Sequence, residues 1–363
     1  MPVLVVNAGS SSLKLSLLND EDSLLDAVNE PLRFGDDPAP LLSRFLSSVP
    51  VFPDAAGHRV VHGGPRFIEP VVVDASVLSV LDELASLAPL HNPPALAAIA
   101  ALRRVAPELI AVACFDTAFH ASLPAAAYTY AVPAEWNVRR YGFHGLSHQY
   151  GSRRAASLLG TPVDSLRLVT CHLGAGASLC AVDRGVSVDT TMGYTPLEGL
   201  VMATRSGSID PGAMLSVQQR LGLSATAVED ALYHQSGVLA LAGTADMRQV
   251  VDQGGLALDV YIHRLRREVA AMVAAMGGVD GLVFTGGVGE HSAKVRWLAA
   301  AGLGFLGVSV DAHHNAAVAD DDAEISADEA TVRTLVVHAR EDVEIAAAVR
   351  HLLRNPSEGS VPY

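Results

Sequence analysis

The stretch Val3-Leu4-Val5-Val6-Asn7-Ala8-Gly9-Ser10-Ser11-Ser12-Leu13-Lys14-Leu15-Ser16-Leu17-Leu18 decides the fold. Residues 3–6 are apolar and mostly β-branched, which predicts a buried strand, and Leu13, Leu15 and Leu17 alternate as a second strand does. Gly9 permits tight curvature between them. Ser10, Ser11 and Ser12 bring hydroxyls and backbone N–H groups to the turn, and Lys14 adds a positive charge just beyond it, a composition suited to an anion such as phosphate. An ordinary polar β-hairpin is the competing reading of this stretch alone.

Residues 168–182 repeat the plan: an apolar strand, a polar residue, then His172-Leu173-Gly174-Ala175-Gly176 and a second apolar strand. Asn7 falls on His172 and Gly9 on Gly174. One repetition is too little for a solenoid. Two related halves, each presenting a hairpin to one nucleotide, fit better.

Bulk properties agree with an enzyme of anionic substrates. A chain of 363 residues allows two domains with cores of their own. The net charge of −14 argues against a phosphate-backbone reader, so no nucleic-acid partner is expected and any anionic substrate must meet local positive charge. Cys114, Cys171 and Cys180 sit in apolar runs, as buried free thiols of a reducing compartment do. With no signal-like segment before Val3 and no apolar run near the ~20 residues of a membrane span, the expectation is a cytoplasmic chain without a membrane partner.

Residues 19–53 read as a short helix and loops. In His58-Arg59-Val60-Val61-His62-Gly63-Gly64 an arginine lies inside a strand that runs into a glycine turn, where it needs an anion or a structural carboxylate. Val77, Leu78, Leu81, Leu84 and Leu87 have helical spacing, and the prolines at 93 and 94 place His91 at the entrance of another helix. Residues 109–115 predict a buried strand with Asp116 at its carboxyl end, the position where open α/β sheets hold ligands. Arg139-Arg140-Tyr141-Gly142-Phe143-His144 is poor core material and reads as the lining of a site. Residues 190–200 read as a loop entering a short helix, followed by Arg205 among small residues. Arg59 and Arg205 could neutralise a carboxylate and a transferring phosphoryl group, as phosphoryl transfer between anions requires. An amphipathic helix carries Ile262, Leu265, Val269, Met272, Val273 and Met276 and ends at Gly277. Residues 281–290 read as a strand and a glycine loop open to a flat group. Residues 332–337 form a strand, and Glu341 opens the last helix.

Nine segments, in order, resemble the acetate kinase family: VNAGSSSLK (6–14), HRVVHGG (58–64), APLHNPP (88–94), FDTAFH (115–120), YGFHGLSH (141–148), CHLGAGAS (171–178), MGYTPLEGL (192–200), TRSGSIDPG (204–212) and FTGGVGE (284–290). The resemblance implies two ribonuclease-H-like α/β domains of the actin-like ATPase kind with a nucleotide cleft between them. The first would comprise residues 1–117 and 343–363, the second residues 118–342. It implies a homodimer, ATP and ADP as co-substrates, and Mg2+, with Mn2+ as a substitute.

It also implies roles. Arg59 and Arg205 would bind the carboxylate and phosphoryl groups, His144 would stabilise the group in transfer, His91 would lie close by, and Asp116 would serve catalysis and the metal. Glu341 and Asn7 would complete the metal site. Val61, Leu90, Phe143 and Pro196 match a small apolar acceptor pocket. Lys14, Ser10 and Ser12, the run His172, Leu173, Gly174, Ala175 and Gly176, the run Asp246, Met247 and Arg248, and the run Gly286, Gly287, Val288, Gly289 and Glu290 would hold ATP.

A carboxylate is already ionised at neutral pH and attacks phosphorus without a general base, leaving the protein to position the reactants and neutralise charge. Propionate kinases share the motifs, and a nucleotide-binding regulator without turnover is the alternative of another class. Three departures stand out: Ala175 replaces a usual asparagine, His338-Ala339-Arg340 brings a cation next to Glu341, and the chain is short between Asn19 and His58. The missing amide at Ala175 is expected to weaken nucleotide grip or turnover, and Ala175→Asn should change the ATP kinetics.

Overall fold

Strand β1 (Val3–Ala8) turns back into β2 (Ser12–Leu18), with Asn7 opposite Lys14, and the Gly9 N–H donates to the Ser12 carbonyl at 2.9 Å to close the hairpin. The structure is a computed structural model and describes residues 1–9, 12–33, 35–84 and 92–355. Ser10, Leu90 and His91 lie outside the described residues.

The chain divides into two compact units. The first takes in Met1–Ala121, His144–Leu146 and Arg340–Tyr363; the second takes in Ser122–Phe143 and Ser147–Ala339. In the first, β3 (Leu24–Pro31), β4 (Ala55–Val60), β5 (Val71–Val72) and β6 (Ile110–Phe115) complete a sheet of order β3-β2-β1-β4-β6-β5. The period-two alternation of β1 sorts its residues between two cores. Leu4 and Val6 join Leu42 and Phe45 of helix Ala39–Ser48 and Leu102 of helix Asn92–Val105 on one face. Val3 and Val5 meet Ile345 and Val349 of helix Glu341–Arg354 on the other. Gly57 lets that last helix approach, because a Cβ there would stand 2.4 Å from Ile345.

In the second unit, β7 (Arg167–Leu173), β8 (Ala177–Asp183), β9 (Val186–Thr190), β10 (Gly281–Thr285), β11 (Ala323–Glu324) and β12 (Arg333–Val336) form a sheet of order β11-β12-β10-β7-β8-β9. Read from the other edge, this is the same plan. An antiparallel triplet leads, its first strand pairs parallel with the next, and a short antiparallel strand closes the sheet. Both are the ribonuclease-H-like arrangement expected, and His172 is the penultimate residue of β7 as Asn7 is of β1.

Three local readings need correction. The segment at residues 19–53 contains its helix but also β3, whose burial alternates only weakly; hydrogen bonding to β2, not its own composition, makes it an edge strand. Residues 191–200 form turns without a helix, since their carbonyls are drawn to a side chain described below. The glycines after β10 are helix Gly286–His291 and not a loop. Met276 is only half-buried, whereas Met272 belongs to the core as expected. The three cysteines are buried and free, and among the described residues no helix is long and apolar enough to cross a membrane.

His58, beside Arg59 on β4, is buried with neither ring nitrogen hydrogen-bonded, and burial lowers its pKa from 6.5 to about 3. Its neutral form is the one the fold accepts. Stability is therefore whole above the unfolded pKa near 6.5 and declines as pH falls toward 3. Replacing His58 with Leu is expected to flatten this dependence, read as a smaller difference between urea midpoints at pH 7 and pH 4.5 than the unsubstituted chain shows.

Candidate active site

In the first unit, β1, β4 and β6 run parallel to one another and deliver their carboxyl ends together. Asn7 and Arg59 are penultimate on β1 and β4, and Asp116 follows β6, its N–H held by the Val60 carbonyl. Arg59 grips Asp116 with two bonds, Nε to Oδ1 at 3.0 Å and Nη2 to Oδ2 at 2.5 Å, and its Nη1 donates to Asn7 Oδ1 at 3.3 Å. Glu341 Oε2 stands 3.8 Å from the same guanidinium. The cost of burying Arg59 is thus met by the fork geometry of a carboxylate pair.

The electrostatics follow from burial and pairing. Burial pulls against the Arg59 charge, but Asp116 and Glu341 outweigh it and hold Arg59 protonated. Burial also pushes Asp116 up, to about 6, with Arg59 opposing. At neutral pH the pair is ionic.

His144 enters from a left-handed backbone at φ 59°, a conformation uncommon for a residue with a Cβ. Gly145 behind it donates its N–H to the Asp116 carbonyl at 2.8 Å, and a Cβ on Gly145 would lie 2.3 Å from that oxygen. The histidine is thereby tied to the strand end that carries Asp116.

The second unit holds the other expected arginine. Arg205 is half-buried; its Nη1 donates to the Pro196 carbonyl at 3.1 Å, and its guanidinium lies 5.7 Å from the centroid of the Tyr233 ring. No carboxylate pairs with it among the described residues, and burial lowers its pKa, with Tyr233 opposing. A cation so placed is a candidate receptor for an anion. Its segment is anchored to the β7–β8 hairpin, where the Ala203 N–H donates to the Ala175 carbonyl at 3.2 Å and the Gly174 N–H to the Gly176 carbonyl at 2.9 Å. His172 is oriented by Ser147, Oγ to Nδ1 at 2.8 Å.

Beside the hairpin, β10 pairs Thr285 with His172, and Gly286 packs so close that a Cβ would stand 2.9 Å from the Leu173 carbonyl. Glu290 Oε1 accepts the N–H groups of Gly286 and Ala339, so this carboxylate serves the fold. Asp246 caps helix Met247–Gln253 and pairs with Arg248, whose side chain is 90% exposed; Met247 is buried. Lys14 is exposed, Ser12, Val61 and Val288 are half-buried or exposed, Gly289 is buried, and Phe143 and Pro196 are buried. Arg340 pairs with Asp342, Nε to Oδ1 at 2.9 Å.

Tyr130, Glu198 and Tyr233 are structural partners of this region that the sequence reading missed. Glu198 lay inside a quoted motif, and Tyr130 gave no signal.

Gly287 has nothing within 4 Å of a built Cβ, and its φ is ordinary for a helix. Gly287→Ala is expected to leave thermal stability unchanged or slightly raised, while the KM for ATP rises about tenfold or more if a nucleotide lies against this backbone. Gly286→Ala should unfold the region instead. An unchanged KM in Gly287→Ala would remove the 286–290 run from the nucleotide set.

A family model described as the acetokinase family matches residues 52–347. The acetate kinase of Leifsonia xyli subsp. xyli is 45% identical over 391 aligned positions, which cover 95% of this chain and 97% of that one. The crystal structure of Porphyromonas gingivalis acetate kinase superposes with a TM-score of 0.88 at 34% identity, covering 97% of this chain and 99% of that chain. A propionate kinase from Francisella tularensis subsp. tularensis superposes with a TM-score of 0.87 at 35% identity, covering 96% and 98%.

Proposed function

The chain belongs to the acetokinase family, and from that premise we propose that it transfers the γ-phosphoryl group of ATP to the carboxylate of acetate, giving acetyl phosphate and ADP. The observation that carries the reading is Arg205, a half-buried guanidinium with no carboxylate partner among the described residues. Acetate is favoured over propionate as acceptor because the curated relatives are acetate kinases.

The acceptor needs no base, since a carboxylate near its ordinary pKa is ionised at pH 7. Arg59 would hold its charge, Arg205 and His144 would take the charge on the phosphoryl oxygens, and Val61, Phe143 and Pro196 would enclose the methyl group, with Leu90 and His91 assigned nearby by the family motif alone. Rate comes from alignment and neutralisation. The nucleotide would be held through the hairpin at 172–176 and the runs at 246–248 and 286–290, with Lys14, Ser10 and Ser12 on the phosphates.

Asn7, Asp116 and Glu341 offer one amide and two carboxylate oxygens that already converge on a cation, the guanidinium of Arg59. Hard oxygen donors of this number fit Mg2+, which keeps waters and shares its coordination with phosphates. When bound, the ion would supply charge neutralisation at the ATP oxygens; Mn2+ has the same donor preference.

Helix Pro211–Leu221 and helix Ala225–His234 bury no residue, and Leu215 and Leu221 are 60% and 56% exposed. Apolar exposure of this kind supports self-association as a homodimer, and sedimentation of Leu215→Glu should show a monomer where the unsubstituted chain is a dimer. The buried free thiols support a cytoplasmic setting.

The function is tested with ATP, Mg2+, hydroxylamine and a panel of acetate, propionate and butyrate. Hydroxamate should form most rapidly with acetate and only when ATP is present. ATP binding without hydroxamate from any acid would instead indicate a regulator without turnover.

A further inference from the structure

Arg140 is embedded in the loop that follows β9. Its Nη1 donates to three successive carbonyls, those of Thr190, Thr191 and Met192, at 3.1, 3.1 and 2.9 Å, and its Nη2 donates to Glu198 Oε1 at 2.9 Å. The other Glu198 oxygen accepts the Tyr130 hydroxyl at 2.5 Å, and the Tyr130 oxygen in turn accepts the N–H of Tyr194 at 3.0 Å. Gly193 is enclosed so tightly that a Cβ would stand 1.8 Å from Glu198 Oε2 and 2.2 Å from the Tyr130 oxygen.

These bonds tie the start of the loop to its far end and leave its middle spanned by one carboxylate and one phenol. The middle carries Pro196, which is buried and whose carbonyl receives Arg205. Burial, followed by the bond to Glu198, raises the Tyr130 pKa, so the hydroxyl remains a donor throughout the physiological range. Arg140 lies in the run that the sequence marks as the lining of a site, and neither Glu198 nor Tyr130 is among the expected site residues.

We propose that Arg140, Glu198 and Tyr130 are positioning residues that set the size of the acyl pocket through Pro196 and the aim of Arg205, and so set selectivity for the shortest acyl chain. The inference rests on the assignment of Pro196 and Arg205 to acceptor and phosphoryl binding. A pocket distinguishes one methylene only if its wall cannot retreat, and a loop held at both ends by charge-assisted bonds has that stiffness. Loosening it should admit the longer acid and misplace the shorter one.

Tyr130→Phe removes the hydroxyl and keeps the ring, and Glu198→Ala removes the bridge. In Tyr130→Phe the KM for acetate should rise about fivefold or more, the scale of one lost hydrogen bond, with the KM for ATP unchanged within about twofold. The ratio of kcat/KM for acetate to that for propionate should fall by a similar factor. The Tyr130→Phe/Glu198→Ala double variant should add little beyond Glu198→Ala, as residues of one network do. If either folded variant keeps the acetate KM and the acid ratio while losing only melting temperature, the cluster is structural and the proposal is overturned. Tyr130→Phe carries the test alone if Glu198→Ala fails to fold. Absence of acyl phosphate from the unsubstituted chain would sink the functional assignment itself, a result separate from any change in selectivity.

Discussion

Arg205→Leu is expected to lower kcat about a thousandfold, the lower range for an arginine that neutralises a transferring phosphoryl group, while the melting temperature stays the same or rises. The two halves of this expectation have one cause. Arg205 holds a charge in a half-buried place without a carboxylate among the described residues, so the fold bears its desolvation and regains little; a leucine relieves that, orphans the Pro196 carbonyl and gives up only weak contacts with the Met202 sulfur and the Tyr233 ring. Arg205→Lys keeps the charge but loses the planar fork, and should restore only part of the rate. Circular-dichroism melts beside initial rates of hydroxamate formation check both halves. A variant that keeps its rate would remove Arg205 from the reaction.

Asp116→Ala should be damaging in both respects. Asp116 is buried and carries two of the bonds that hold Arg59. Removing one partner of a buried ion pair leaves the other poorly compensated, at about 3 kcal/mol or more, although Glu341 and Asn7 remain to soften the loss. Rate should fall at least a hundredfold, because Arg59 loses its aim and the proposed metal donors lose a carboxylate. Asp116→Asn, which preserves shape, should recover stability in part and rate hardly at all. Calorimetry with Mg2+-dependent initial rates separates the two. Comparable rates for Asp116→Asn and the unsubstituted chain would contradict the assigned role.

The opposite behaviour of these two residues explains how far the sequence could be read. Asn7, Arg59 and Asp116 were legible because strand-ending positions of apolar runs are recognisable, and parallel strands bring such ends together. The pairing itself was not. Whether an arginine meets a carboxylate of the fold depends on sheet order, and the structure pairs Arg59 with Asp116 but gives Arg205 no carboxylate among the described residues. Strand β3 escaped because an edge strand takes its identity from its neighbour. Tyr130 and Glu198 lie 68 residues apart, and nothing local announces that one completes the other. Glu290 and Asp246 carry the converse lesson, since residues inside strong motifs also cap helices and hold loops.

In the proposed reaction two anions react directly, with cationic side chains in place of a nucleophile on the protein. A single turnover with ATP labelled in the γ-phosphoryl group, quenched on the millisecond scale in the presence of acetate, tests it most directly. The label should pass from ATP to hydroxylamine-sensitive acetyl phosphate with none on the protein at any time. Label appearing first on the polypeptide, at Asp116, Glu341 or elsewhere, and decaying as acetyl phosphate forms would contradict it.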